Sequence, residues 1–190
     1  MLQADDVRQN GLGAPFHVEE GACYLARGKS VESAYRLFQH LADEGIPGLC
    51  VSRIYPDRVR TKYGLLRVPV WWISQSPGDD HFDPTAVGSL ASAIESFIDE
   101  HPSGSLILLD GIEFIMAHIG FAKTLFFVEH LNEYVMPRRA TMLFPVNPEC
   151  FEPVEFARLE RFMEGIEEPE LRDSLDTFDM NRSLLGGPRY

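Results

Sequence analysis

Several short segments of this chain carry apolar residues at consecutive positions rather than at alternate ones: 21–26, 48–53, 70–74, 106–110 and 141–146. Side chains on a strand point to opposite faces in turn, so a half-buried strand alternates in polarity. A strand that is apolar throughout needs both of its faces covered, which is the situation of a parallel sheet between helices. Helical spacing separates these segments. Ser30 stands where an N-cap belongs, and Ala34, Leu37, Phe38 and Leu41 follow at i, i+3, i+4 and i+7 before Gly45. Pro56 opens a short basic turn that ends at Gly64. Asp83 and Pro84 open a helix running to about His101, residues 112–136 are helical with a break at Gly120, and a last helix is expected from about Pro153 to Gly165. The expected architecture is α/β: three layers, with a mostly parallel sheet of about five strands, helices on both faces and right-handed crossovers.

A chain of 190 residues suits one domain with appendages. Residues 1–15 read as a flexible arm, 16–165 as the α/β domain and 166–190 as an acidic C-terminal tail. In the tail Leu171, Leu175 and Phe178 form one apolar stripe at i, i+4 and i+7. A helix of that length needs a surface to pack on. We expect the stripe to serve association more than folding; the alternative is that it closes the domain's own core.

Charge narrows the classes of function. Asp and Glu number 29 against 17 Lys and Arg, for a net charge of −12. Neutralising nucleic-acid phosphates requires a basic stripe, so a nucleic-acid surface is disfavoured, as is an anionic membrane. No apolar run approaches the ~18 residues of a membrane span, and the first residues lack the apolar core of a signal peptide. Cys23, Cys50 and Cys150 are odd in number and widely spaced, which fits unpaired thiols in a cytoplasmic protein. The six His show no metal-binding spacing, and no nucleophile–base set stands out. No metal, cofactor or catalytic set is therefore expected.

In an open parallel sheet, ligands collect beyond the carboxyl ends of the strands. Those ends carry Ser52-Arg53, Ser74, Asp110-Gly111 and Asn147, with Glu113 just beyond. The strand Leu106–Asp110 has the form of a magnesium-holding Walker B strand, but an apolar strand ending in Asp-Gly also arises simply because Asp caps the next helix. We expect the second role: Asp110 accepting from backbone N–H groups at the start of 112–119. Gly28-Lys29-Ser30 imitates the end of a phosphate-binding loop. The first glycine of that motif would fall at Cys23, and 24–27 are strand residues, which cannot turn successive N–H groups inward. Arg53, Arg58, Arg60 and Lys62 form the one basic patch. It could grip an anion through Arg53 with help from Tyr55, dock an acidic protein, or be a solvated helical turn.

The blocks GLCVSRIYPDRVRTKYGL, VWWIS, LILLDGIEFIMAHIGF and MLFPVNPECF, in this order, resemble an uncharacterised, mainly archaeal family, the domain of unknown function number eight hundred and thirty-five. The resemblance covers roughly 21–165. It implies a degenerate RecA/KaiC-like core that keeps a Walker-B-like strand, lacks Walker A and acts in signalling. It points to Ser52, Arg53, Pro56, Tyr63, Trp72, Ser74, Asp110, Gly111 and Glu113.

The expected function is a non-catalytic regulatory module acting through a protein partner or a homo-oligomer. The alternative is a sensor binding a nucleotide or small anion at the strand ends. A hydrolase using Asp110 and Glu113 is the third possibility. Candidate ligand-binding or interaction residues are Ser52, Arg53, Tyr55, Lys62, Tyr63, Ser74, Asp110, Glu113 and Asn147.

Overall fold

Strand β1 (Ala22–Arg27) enters the sheet between two other strands, and its four central residues are buried. The structure, a computed structural model, describes residues 18–167 together with Glu170, Leu171, Asp173 and Leu175. The arm expected at 1–15 lies outside the described residues.

From β1 the chain runs through α1 (Glu32–Asp43), β2 (Gly48–Ser52), α2 (Pro56–Tyr63), β3 (Val70–Ile73) and β4 (His81–Phe82). It continues through α3 (Val87–Glu100), β5 (Ser105–Asp110), α4 (Ile112–Ile119), α5 (Phe121–Val135), β6 (Ala140–Val146), α6 (Pro153–Leu159) and β7 (Glu164–Glu167). The strands form one sheet in the order β4-β3-β2-β5-β6-β1-β7, and all pairings are parallel. Strands β2, β5 and β6, in the middle, are buried at every position, as continuous apolar runs require.

Helices α1 and α2 cover one face, where Tyr35, Phe38, Val59 and Tyr63 pack on Tyr24, Leu108 and Leu143. The other face carries α3, α4 and α5, whose Ile94, Ile115 and Leu131 pack on Leu25, Ile107 and Phe144. Each fully buried side chain of this size contributes roughly 1.5–3 kcal/mol. Crossovers toward β4 pass over the α1 face and those toward β7 over the α3 face, as one handedness demands.

The sheet has seven strands rather than about five. The two additions are its edges. Strand β4 has only two residues, and in β7 only Ile166 is buried, so neither shows the continuous apolar pattern of a central strand. The expected helix from Pro153 to Gly165 stops at Leu159, and a 3-10 turn leads into β7. The reason lies in Arg27. Its guanidinium crosses Gly165 so closely that a Cβ there would overlap it, and it pairs with Glu160 at 2.9 Å and Glu167 at 3.0 Å.

The boundary drawn at 165 falls inside β7. Ile166, Leu171 and Leu175 are buried in the α1-face core, so through Leu175 the apolar stripe closes the domain's own core. Phe178 and the later tail lie outside the described residues.

Helix starts also shift. Val31 is the N-cap of α1, while the Ser30 hydroxyl accepts from Glu32 N at 3.2 Å. Asp83 Oδ1 accepts from Thr85 N at 2.7 Å, closing a turn ahead of α3, which starts at Val87. Gly45 and Gly120 do break the chain as expected, with φ of 96° and 80°.

Candidate functional site at the carboxyl ends of the strands

Strands β2 and β5 lie side by side with Ser52 opposite Asp110. After Ser52 the chain leaves toward α2 on one face; after Asp110 it leaves toward α4 on the other. Such divergence opens a crevice between adjacent strands. Here side chains fill it. Tyr35, from α1, places its hydroxyl 2.7 Å from both Asp110 Oδ2 and Ser52 Oγ, and Ser52 Oγ accepts from Ile54 N at 3.0 Å. Ser52 Oγ also lies 3.3 Å from Asp110 Oδ2, so with one proton per hydroxyl the groups form a relay in which Ile54 N–H donates to Ser52, Tyr35 O–H to Asp110, and Ser52 O–H to Tyr35 or directly to Asp110.

The relay is sealed. Tyr35 is 0% exposed and Asp110 is 4% exposed. Burial raises the Asp110 carboxyl above the usual aspartate range, opposed by the Tyr35 hydroxyl, the Arg53 charge and the Ser52 hydroxyl. Burial, then the neighbouring Asp110 charge, raises the Tyr35 phenol, so it remains a donor. Asp110 was expected to cap α4 through backbone N–H groups. Instead it bonds hydroxyls, and no side-chain bond caps α4. The reason is strand parity: Leu106, Leu108 and Asp110 share the α1 face, whereas α4 lies on the other.

Gly111 does permit the turn. Its φ is 149°, and a Cβ there would meet Ile73 Cδ1 at 2.9 Å. Glu113, whose carboxyl burial also raises, accepts from Asn147 N at 2.8 Å and so ties α4 to the end of β6. The Asn147 side chain accepts from Glu149 N at 3.1 Å.

The remaining candidates fall into separate groups. Tyr63 is buried, its ring stacked on Tyr35 at 3.9 Å. Lys62 Nζ reaches the Tyr63 hydroxyl at 2.8 Å and Glu32 at 2.9 Å, clamping α2 to α1 rather than facing a ligand. The Ser74 hydroxyl accepts from Ser76 N at 3.0 Å within its own loop. Arg53 is exposed beside Gly111, and Tyr55 rests edge-on against Trp72 with ring centroids 5.3 Å apart. Thus Ser52 meets Asp110, Glu113 meets Asn147, and Lys62 meets Tyr63; Ser74 joins none of these pairs.

Tyr35 is the residue that sequence reasoning missed. It lies one position from the stripe Ala34, Leu37, Phe38, Leu41, yet the offset stripe Val31, Ala34, Tyr35, Phe38 has the same spacing and contains it.

The Gly28-Lys29-Ser30 segment is a turn. Residues 22–27 pair in continuous register with β6, Gly28 N donates to Val146 O at 3.0 Å, and Lys29 pairs with Glu149 at 2.7 Å.

Residues 28–163 match the family described as "Protein of unknown function (DUF835)". The chain belongs to this family. All nine residues to which the family resemblance pointed lie within the matched span, as does Tyr35. Among solved structures the chain resembles the KaiC-like protein PH0186 of the hyperthermophilic archaeon Pyrococcus horikoshii OT3, with a TM-score of 0.57 and 13% identity over 78% of this chain and 73% of that one. At that identity the likeness establishes a RecA/KaiC-like fold. No curated protein matches the chain. Among the described residues no helix is long and apolar enough to cross a membrane.

Proposed function

We propose that this chain is a non-catalytic regulatory or signalling module, cytoplasmic, that acts through contact with a protein partner or a second copy. The observation that carries the reading is the Tyr35–Asp110 contact. The carboxylate standing where a Walker B aspartate would hold magnesium has its Oδ2 occupied by a tyrosine hydroxyl and is buried beneath that ring. A magnesium-holding carboxylate must instead face an open site shared with phosphate oxygens. Glu113 supports the same reading, because its carboxylate holds the Asn147 backbone rather than facing a substrate.

The alternative, a sensor of nucleotides or small anions, rests on the exposed Arg53 beside Gly111. Asp110 and Glu113 are the nearby carboxyl groups that feel its charge, and two carboxylates there weaken the case for an anion.

Titration calorimetry of the full chain with ATP and magnesium, together with a phosphate-release assay, tests the proposal. The expected result is no saturable heat at millimolar nucleotide and no turnover. A micromolar dissociation constant that depends on Lys29, or turnover abolished by Asp110→Asn, would overturn it.

A further inference from the structure

With the carboxyl-end crevice filled, the open space lies at the other end of the sheet. A cavity of about 970 Å³ sits there, with Val18, Leu41, Ile46 and Leu106 in its apolar lining. Sites for small molecules have volumes in this range and combine an apolar wall with a few polar groups. Ser105 supplies a buried one. It lines the cavity at the start of β5 and is 3% exposed, yet its Oγ has no hydrogen-bond partner among the described residues. A buried hydroxyl left unpaired costs about 1–3 kcal/mol. Thr141, which lines the same cavity, shows the ordinary arrangement: its Oγ1 donates to Glu19 O at 2.8 Å.

The sign of the cavity follows from topology. Helices that join parallel strands return from the carboxyl end to the amino end, so α1 and α3 both finish here. A helix C-terminus carries partial negative charge and favours a cation beside it. Acids stand there instead: Glu44 is the C-cap of α1, and Glu100 is the last residue of α3. Both line the cavity, as does Glu19. Glu44 meets a His40 ring nitrogen at 3.4 Å. Among the described Lys and Arg, Arg139 alone lines the cavity, and Glu20 takes it through two bonds of 2.7 and 2.8 Å. His101 directs Nδ1 to Phe97 O at 2.7 Å. A net charge of −12 scatters acids over any face. What is particular to this one is that two helix C-termini ending in acids meet an apolar cavity that holds an unpaired hydroxyl.

We propose that the amino-end cavity binds a small organic ammonium ion, a molecule with an apolar body, a protonated amine and one further hydrogen-bonding group. The amine is held by Glu44, Glu100 and the two helix ends, the body covers Leu41, Ile46 and Leu106, and the third group bonds the Ser105 hydroxyl. Charge-assisted bonds from an ammonium group to carboxylates are the strong ones, and the apolar floor adds burial that a bare cation could not use. A nucleotide or other polyanion does not fit, because the same carboxylates repel it. The site goes beyond the regulatory reading above and does not depend on it.

The test is amide NMR titration of the full chain with two probes of different shape, tyramine and aminohexanol, each carrying an amine, an apolar body and a hydroxyl. Saturable shifts are expected at residues 44–47 and 100–105, with dissociation constants on the order of 1 mM or below. Phenethylamine, which lacks the tyramine hydroxyl, should bind several-fold more weakly, and hydroxyphenylpropionate, an anion of similar shape, should not bind. Glu44→Gln combined with Glu100→Gln should weaken tyramine about tenfold. Ser105→Ala should bring tyramine down to the level of phenethylamine, while the free chain melts at the same temperature or higher, as loss of an unpaired hydroxyl requires. A lower melting temperature for that variant would show the hydroxyl already satisfied and overturn its role toward a ligand. Absence of saturable binding by both amines, shifts spread over the acidic surface instead of the cavity, equal binding of the anion, or an unchanged affinity in the double glutamine variant would each overturn the site. Any of these leaves the non-catalytic reading standing, since nucleotide turnover, not amine binding, tests that reading.

Discussion

The two ends of the sheet are built in opposite ways. At the carboxyl ends, where a parallel sheet ordinarily keeps room for a ligand, Tyr35, Ser52 and Asp110 fill the crevice and satisfy one another. At the amino ends a cavity of about 970 Å³ lies among the α1–β2 and α3–β5 connections, lined by Val18, Leu41, Ile46 and Leu106 with Glu44 and Glu100. The comparison separates topology from occupancy. Strand order fixes where a crevice forms, but the side chains reaching it from a neighbouring helix determine whether it stays open.

Substitutions at the two ends should therefore differ in cost. The largest expected effect is at Tyr35. Tyr35→Ala removes a fully buried ring stacked on Tyr63 and should cost about 3–5 kcal/mol in urea unfolding. Tyr35→Phe keeps the ring but removes the two 2.7 Å bonds to Asp110 and Ser52, leaving Asp110 only the longer 3.3 Å bond from Ser52, and should cost about 1–3 kcal/mol. A loss below about 0.5 kcal/mol for the Phe variant would mean that the relay seals nothing. Next comes Gly111→Ala, where the φ of 149° and the 2.9 Å approach of Ile73 should together cost about 1–3 kcal/mol.

Asp110→Asn gives a smaller effect and a sign. Folding raises the Asp110 pKa, so the stability its carboxyl contributes is fully present below the unfolded value of about 3.9 and is lost as pH rises through the folded value. Asparagine keeps an oxygen for Tyr35 without the buried charge. The variant should equal or exceed the parent in stability at neutral pH, and the gap should narrow as pH falls toward 3.9. A large destabilisation at neutral pH would show that the ionised carboxylate is needed. Smallest of all is Leu41→Phe at the amino end. It adds volume beside the cavity and should shift stability by less than about 1 kcal/mol. A cost matching that of Gly111→Ala would erase the contrast between the ends.

The strands at 48–53, 106–110 and 141–146 were legible because two covered faces force unbroken apolar runs. Edge strands escape that rule, which is why β4 and β7 left no such mark. The tail was misassigned for a related reason. Leu171 and Leu175 sit in an acidic stretch, and a periodicity of 3.6 shows that a face is apolar without showing what covers it. Of the candidate site, Ser52, Asp110, Glu113 and Asn147 were found because strand parity and topology put them at one end. Their bonding was not legible, since it depends on Tyr35, 17 residues from Ser52 and 75 from Asp110 along the chain.

The three cysteines lead to a practical consequence. Cys23 and Cys50 are buried, and burial pushes the Cys23 thiol up to about 12 and raises that of Cys50 as well. Cys150 is exposed, in the 3-10 turn that follows β6. A maleimide fluorophore or nitroxide applied to the native protein should therefore attach at one position, on the connection that leaves the carboxyl end of the sheet. No cysteine needs to be engineered. The natural sequence already provides a reporter from which distances to a labelled partner can be measured.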